Sequence, residues 1–298
     1  MPTRAHRPAR DLVGYGENPP RAHLPGNANV AVNIVVNYEE GSEYSFALGD
    51  GHNDSLAEIS YPFPRDIRDL ATESMYEYGA RVGVWRLLRL FAEYDIPSTF
   101  FACAQAFELN PEVATAARRL GHDLVSHGYR WEEHWRLTRA EEAQRIRDAV
   151  ESFEKTWGAA PNGWYCRYGP SVNTRELIVE NGGFLYDSDA YNDDLPYFVQ
   201  VQGKRHLVVP YSLTYNDIQG TRSPGDFFEY LRRGLDELWI EGERGTPKMM
   251  SVGLHPRLVG QAGRANALRE FIEYAQAKGK VWFARRDDIA DLWMSQFG

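Results

Sequence analysis

The chain predicts an α/β fold in which strands and helices alternate around a closed or nearly closed (β/α) barrel. Short apolar runs rich in β-branched and aromatic residues alternate with stretches of helical period. Seven to eight such strand–helix units follow one another from residue 28 to residue 298, the content of a barrel. No G-x-G-x-x-G follows the first strand and no Walker loop is present, which disfavours the alternative, an open doubly wound sheet. Residues 1–27 are Pro-rich and read as an extended arm ahead of a single barrel domain, 28–298.

The elements follow in order. "VAVNIVVNY" (30–38) is the first strand. "RVGVWRLLRLFAEYDIP" is a helix with Val84, Leu87, Leu88 and Phe91 on one face, and Pro97 stops it. "STFFACA" (98–104) is a strand. Asn110 and Pro111 open a helix as N-cap and first residue, and Gly121 closes it. "HDLVSHG" (122–128) is a strand running into a loop. Thr138 and Glu141 form a capping box for a helix with Ile146, Val150, Phe153 and Trp157 on one face. "GWYCRYG" (163–169) is a strand, followed by a helix capped by Asn173. Strands are expected at 184–189 and 206–213, a helix at 226–239, and a strand at 248–255. A helix at 265–279, a strand at 281–284 and a terminal helix complete the chain. The segment 41–80 is long and irregular, which in a compact domain marks a functional or interface element.

Bulk properties exclude several classes. A formal charge of −9, with acids spread along 298 residues, argues against nucleic acid or an anionic membrane as partner. No apolar run approaches the ~20 residues that span a bilayer. The N-terminus has no apolar core of a signal peptide. Two cysteines, Cys103 and Cys166, make no disulfide framework, so a reducing cytoplasm is the expected location.

In such a barrel the chemistry sits where strands end. Strand ends here carry Glu39-Glu40, His127, Arg167, Asp187 with Asp189, and His255. This set suits hydrolysis by water: a carboxylate takes a proton, a histidine gives one to a leaving nitrogen, and an arginine orients the base or stabilises charge. No G-x-S-x-G elbow is present, so direct attack by water ranks above a covalent route.

In order, these motifs resemble the NodB-homology superfamily of polysaccharide deacetylases, over about residues 10 to 295. The resemblance implies a distorted (β/α) barrel. Glu39-Glu40-Gly41 stands where the family has two aspartates and a glycine, which implies Glu39 as general base and Glu40 at a metal-ligand position. "HGYRW" keeps His127, but Trp131 replaces the second histidine ligand. "RYGP", with Arg167 and Pro170, resembles the third motif, and "GLHP" supplies His255 as the implied general acid. A complete metal site is not expected, and no cofactor is. Zinc or another divalent metal, if it bound, would use Glu40 and His127.

"RDLVGYGENPP", "NYEEG", "ESMYEYGARVGVWR", "SHGYRW", "GGFLYDSDAYNDDLPY", "GLHPRL" and "FIEYA" resemble the allantoinase branch of that superfamily, which is regarded as metal-independent. That resemblance implies hydrolytic ring-opening of a small cyclic amide or ureide. Glu39, His255 and Arg167 are the expected catalytic residues. Glu40, His127, Trp131, Tyr168, Asp189 and Asp193 are expected to bind substrate. A small-molecule substrate and a homo-oligomer, tetramer or dimer, are expected. Two alternatives stay open: an N-deacetylase of polysaccharide or peptidoglycan, and a silent barrel serving as a binding module.

Overall fold

A computed structural model describes residues 10–54, 63–218 and 223–298. Parts of the expected arm (1–9), of the irregular segment (55–62) and of the loop at 219–222 lie outside these residues. Among the described residues one sheet contains β1 (Val30–Tyr38), β2 (Thr99–Ala102), β3 (Asp123–Ser126), β4 (Gly163–Trp164), β5 (Tyr186–Asp187), β6 (Tyr197–Val201), β7 (Lys204–Val208), β8 (Lys248–Leu254) and β9 (Val281–Phe283). The strand order is β6-β7-β5-β4-β3-β2-β1-β8, and β9 also pairs with β1, beside its first three residues. All pairs are parallel except the β6–β7 hairpin. The sheet curls into a distorted (β/α) barrel whose edges do not pair with each other.

The helices lie between the strands. They are α1 (Leu70–Tyr78), α2 (Val84–Glu93), α3 (Ala104–Leu109), α4 (Pro111–Arg119), α5 (Arg139–Thr156), α6 (Thr174–Asn181), α7 (Pro224–Glu243), α8 (Ala262–Lys278) and α9 (Arg286–Phe297). The expected capping box at Thr138 and Glu141 starts α5. Asn110 and Asn173 occupy the expected N-cap positions, but neither side chain makes a capping bond.

Three elements depart from the sequence pattern. First, the segment expected to be irregular contains α1, joined to α2 through a π-helical turn at Gly79–Gly83. Only Thr72 and Tyr76 of α1 are buried, so its apolar face is too narrow to show as a period. Asp69 starts it by accepting from the backbone N–H groups of Ala71 and Thr72. Second, β6 is not expected from the sequence pattern, because four of its five residues are half-buried or exposed without a clean alternation, and the strand expected at 206–213 starts earlier, at Lys204, as its hairpin partner β7. The hairpin turn is Gln202-Gly203, both at positive φ, as a tight two-residue hairpin requires. Third, β4 and β5 are two residues each, much shorter than the apolar runs around them.

All nine residues of β1 are buried, because both faces of this central strand are covered. Alternation divides them. Val30, Val32, Ile34, Val36 and Tyr38 join the core between sheet and helices. Ala31 and Val35 join a second core inside the barrel, with Phe101, Val125, Tyr165 and Tyr211.

Polar layers complete the interior. Arg286, at the start of α9, is fully buried there. Its guanidinium donates to Asn33 Oδ1 (2.8 Å), Ser251 Oγ (3.1 Å), Ser188 Oγ (2.7 Å), Val209 O (2.9 Å) and Pro210 O (2.6 Å). It thus ties β1, β8 and the residues after β5 and β7. Above it, Gly253 leaves room for the Tyr211 hydroxyl; a Cβ at 253 would overlap that oxygen. Arg286→Lys keeps the charge but lacks the fork needed to reach several acceptors. Each acceptor left unsatisfied costs about 1–3 kcal/mol. Urea unfolding should therefore show a loss of about 3 kcal/mol or more, and a loss below about 1 kcal/mol would contradict this role.

Candidate active site

Glu39 and Glu40 follow β1 directly, and strand alternation sends their side chains to opposite sides. Glu39 continues the inward row of Asn33, Val35 and Asn37. Glu40 turns outward against the π-helical turn, where a Cβ on Gly79 would overlap its Oε1. Adjacent carboxylates are thereby separated, and each is buried.

One cation serves both. Arg257 Nη1 lies 2.8 Å from Glu39 Oε2 and 4.0 Å from Glu40 Oε1, and its guanidinium sits over the rings of Tyr76 and Trp131 at 4.6 and 5.5 Å. On its other side Glu39 Oε1 is 3.2 Å from His127 Nε2 and 3.6 Å from His255 Nε2. His127 Nδ1 faces the Tyr165 carbonyl at 3.1 Å. His255 Nδ1 faces Asp217 Oδ1 at 2.6 Å, while Asp217 Oδ2 accepts from the His255 backbone N–H at 2.8 Å. Asp217 reaches this position because its loop bridges to β8: Asn216 pairs with Gly253, and the Asp217 N–H donates to the Gly253 carbonyl.

These contacts set the charges. Burial opposes ionisation of Glu39, but Arg257 and His255 outweigh it and hold the carboxyl well below its ordinary range. Burial likewise opposes the charged form of His255, but Asp217 and Glu39 push its pKa up to about 10. Burial, with the Glu39 charge adding to it and Arg257 opposing, raises Glu40 to about 7. At neutral pH the site therefore holds an ionised Glu39 beside an imidazolium at His255.

Glu39, His127, Trp131, Tyr168 and His255 line one cavity of about 30 Å³, with Asn37, Tyr165, Leu213, Asn216 and Ile218. That is room for about one water. The other expected residues lie around it. Arg167 makes a bidentate pair with Asp54, at 2.6 and 2.7 Å, and stacks on Trp131 at 3.6 Å. It therefore braces the Trp131 wall from behind. Asp189 is buried and accepts from the Cys166 N–H (2.8 Å). Asp193 accepts from Leu195 N in the loop after β5 and is not in the cavity wall. Sequence reading missed Asp217, Arg257, Asn37 and Asn216. Arg257 lay within the quoted "GLHPRL" and Asn37 two residues before Glu39, but nothing local marked Asp217.

Comparisons with known proteins then identify the family. The sequence pattern described as Polysaccharide deacetylase matches residues 71–185. A curated relative named "Putative polysaccharide deacetylase" from Schizosaccharomyces pombe is 38% identical, over 96% of this chain and 97% of its own length. The chain belongs to the polysaccharide deacetylase family. A solved structure of a "probable Polysaccharide deacetylase" from Pseudomonas aeruginosa is similar at 45% identity and TM-score 0.91, covering 97% of this chain and 98% of that one. The structure of Puue allantoinase is similar at 45% identity and TM-score 0.92, with the same coverage. The enzyme is an amidohydrolase-type hydrolase of carbon–nitrogen bonds. No helix among its described residues is long and apolar enough to cross a membrane.

The family in general depends on a divalent metal. The residues present here do not fit one. Among the described residues no group of three or more His, Cys, Asp or Glu is placed to hold a metal. Trp131, four residues after His127, offers an indole and no ligand atom, Glu40 packs against Gly79, and both glutamates already face Arg257.

The raised Glu40 pKa has a consequence for stability. A carboxyl whose folded pKa exceeds its unfolded value destabilises the fold once it ionises, so stability present below about 4.5 is lost as pH rises through about 7. Glu40→Gln removes that ionisation. Thermal melts should show the variant matching wild type near pH 4 and exceeding it at pH 8, by up to about 3 kcal/mol. Equal melting temperatures at pH 8 would contradict the ionisation.

Proposed function

We propose that this enzyme opens a small cyclic amide or ureide, with allantoin as the leading candidate, by direct attack of water. The observation that carries the reading is Glu39 and His255, 3.6 Å apart, lining one cavity that holds about one water. Glu39 takes a proton from that water as it attacks the ring carbonyl. His255 Nε2 gives its proton to the departing ring nitrogen. Asp217 holds the imidazole at Nδ1, and Arg257 fixes the Glu39 carboxylate at the oxygen facing away from the histidines. Trp131, Tyr165 and Tyr168 give the cavity aromatic walls suited to a planar ring. A ring needs more room than about 30 Å³, so binding shifts a wall while the water stays at Glu39.

No step uses a metal, because the donor set does not fit one. The 45% identity to Puue allantoinase over nearly the whole of both chains supports this branch. The N-deacetylase alternative draws on the family name and needs an open groove. The same reading takes the enzyme as a cytoplasmic homo-oligomer. Its support is two buried, unpaired cysteines and the exposed apolar Leu12 and Val13 of the arm.

The deciding assay follows allantoin hydrolysis before and after exhaustive chelation, with metal content read on the same sample. Turnover that survives chelation is expected, and Glu39→Gln should cut it by roughly 100- to 10,000-fold with the fold intact. Deacetylation of N-acetyl sugars without any ring-opening would overturn the reading.

The protonation states predict a pH–rate profile for kcat/KM that is flat through neutrality and falls on the alkaline side near 10. Asp217→Asn removes the carboxylate that most raises His255, so the alkaline limb should move to lower pH. An unmoved limb would remove His255 from the acid role.

A further inference from the structure

Asn37 brings to the cavity a side-chain acceptor that the mechanism does not use. Asn37 lies two residues before Glu39 on the inward row of β1, roughly 7 Å away along the strand. Its amide is oriented by its neighbours. Nδ2 donates to the Tyr211 hydroxyl at 3.2 Å and to the Leu254 carbonyl at 3.4 Å. A carbonyl oxygen only accepts, so the Asn37 atom facing it carries the hydrogens. Oδ1 therefore points the other way and accepts nothing among the described residues, although Asn37 is 2% exposed and lines the cavity.

Four neighbouring polar side chains are committed. Asn216 donates from Nδ2 to Tyr211 (3.0 Å) and accepts at Oδ1 from the Ile218 N–H (3.0 Å). The Tyr165 hydroxyl is 2.8 Å from that of Tyr191. His127 and His255 turn ring nitrogens toward Glu39. An acceptor that faces the cavity without a protein partner is open to a ligand donor in place of water.

We infer that Asn37 is a specificity-determining residue: its Oδ1 accepts a hydrogen bond from a ring N–H beside the scissile carbonyl. This deepens the ring-hydrolase reading and rests on it. With the carbonyl carbon over the water held by Glu39, a ring N–H on the Asn37 side meets Oδ1. The enzyme thus requires an unsubstituted N–H on that side of the ring. A site built to bond a donor discriminates strongly against a ligand that lacks it, because its own polar atom is left unpaired.

The test uses the whole enzyme with hydantoin, 1-methylhydantoin and 3-methylhydantoin as probes, read by ring-opening and by titration calorimetry. Wild type should favour hydantoin over one methyl isomer by at least about 100-fold in kcat/KM. Asn37→Leu, of similar volume but without the acceptor, should reduce that ratio to below about tenfold, mainly by losing hydantoin. Asn37→Asp keeps an acceptor oxygen and should retain the preference; unfolding curves on both variants check the fold. If Asn37→Leu, or Asn37→Ser should the leucine variant not fold, keeps the wild-type ratio, the inference is overturned and the ring-hydrolase reading stands. If wild type opens allantoin but shows no preference among the three rings, the inference is overturned; if it opens neither allantoin nor any of the three, the ring-hydrolase reading fails and the inference falls with it.

Discussion

A barrel whose edges do not pair needs something inside to hold its curvature, and here that is the guanidinium of Arg286. A largely parallel sheet of unequal strands, two of them only two residues long, has few ladder bonds at β4 and β5 to define its shape. Arg286 replaces those missing constraints with directed bonds to Asn33, Ser188, Ser251 and two main-chain carbonyls. The planar fork suits this task because its donors point in fixed directions. The site above inherits that order. Tyr211 packs against the space left by Gly253, and its hydroxyl receives the amides of Asn37 and Asn216.

The second constraint is the alternation of β1. Two adjacent acids would repel if they shared a surface. Sent to opposite faces, they take different partners: Glu39 meets two histidines, while Glu40 fills the space left by Gly79. Arg257 reaches both, held between the rings of Tyr76 and Trp131. Trp131 presents an aromatic face that supports this arginine. A fixed guanidinium keeps Glu39 ionised without demanding the ligand count and geometry of a metal.

The strand ends were legible because each ligand-type residue followed an apolar run. Glu39, His127 and His255 could be located that way, and the structure brings all three to one cavity. Arg167, read as catalytic by its position, is bonded to Asp54 and stacked behind Trp131, because the segment after Gly41 folds back over the strand ends. Asp193 sat in a promising acidic run, yet its carboxylate serves its own turn through Leu195. The helix α1 was hidden by a narrow apolar face, and the π-helical turn after it by having no sequence period of its own.

The sequence by itself determined the class of fold, the order of the strands and helices other than α1 and β6, the reactive residues at strand ends and the family resemblance. These follow from local rules: side-chain period, caps, breakers and short motifs. The tertiary structure decided which of those residues meet. Asp217 pairs with His255 across 38 positions of sequence, and Arg257 pairs with Glu39 across 218. Such partners are chosen by how a loop crosses the open seam and how the barrel curls, and neither leaves a periodic mark on the chain. The protonation states followed from the same step, since burial and opposite charge act through space, where sequence distance has no meaning.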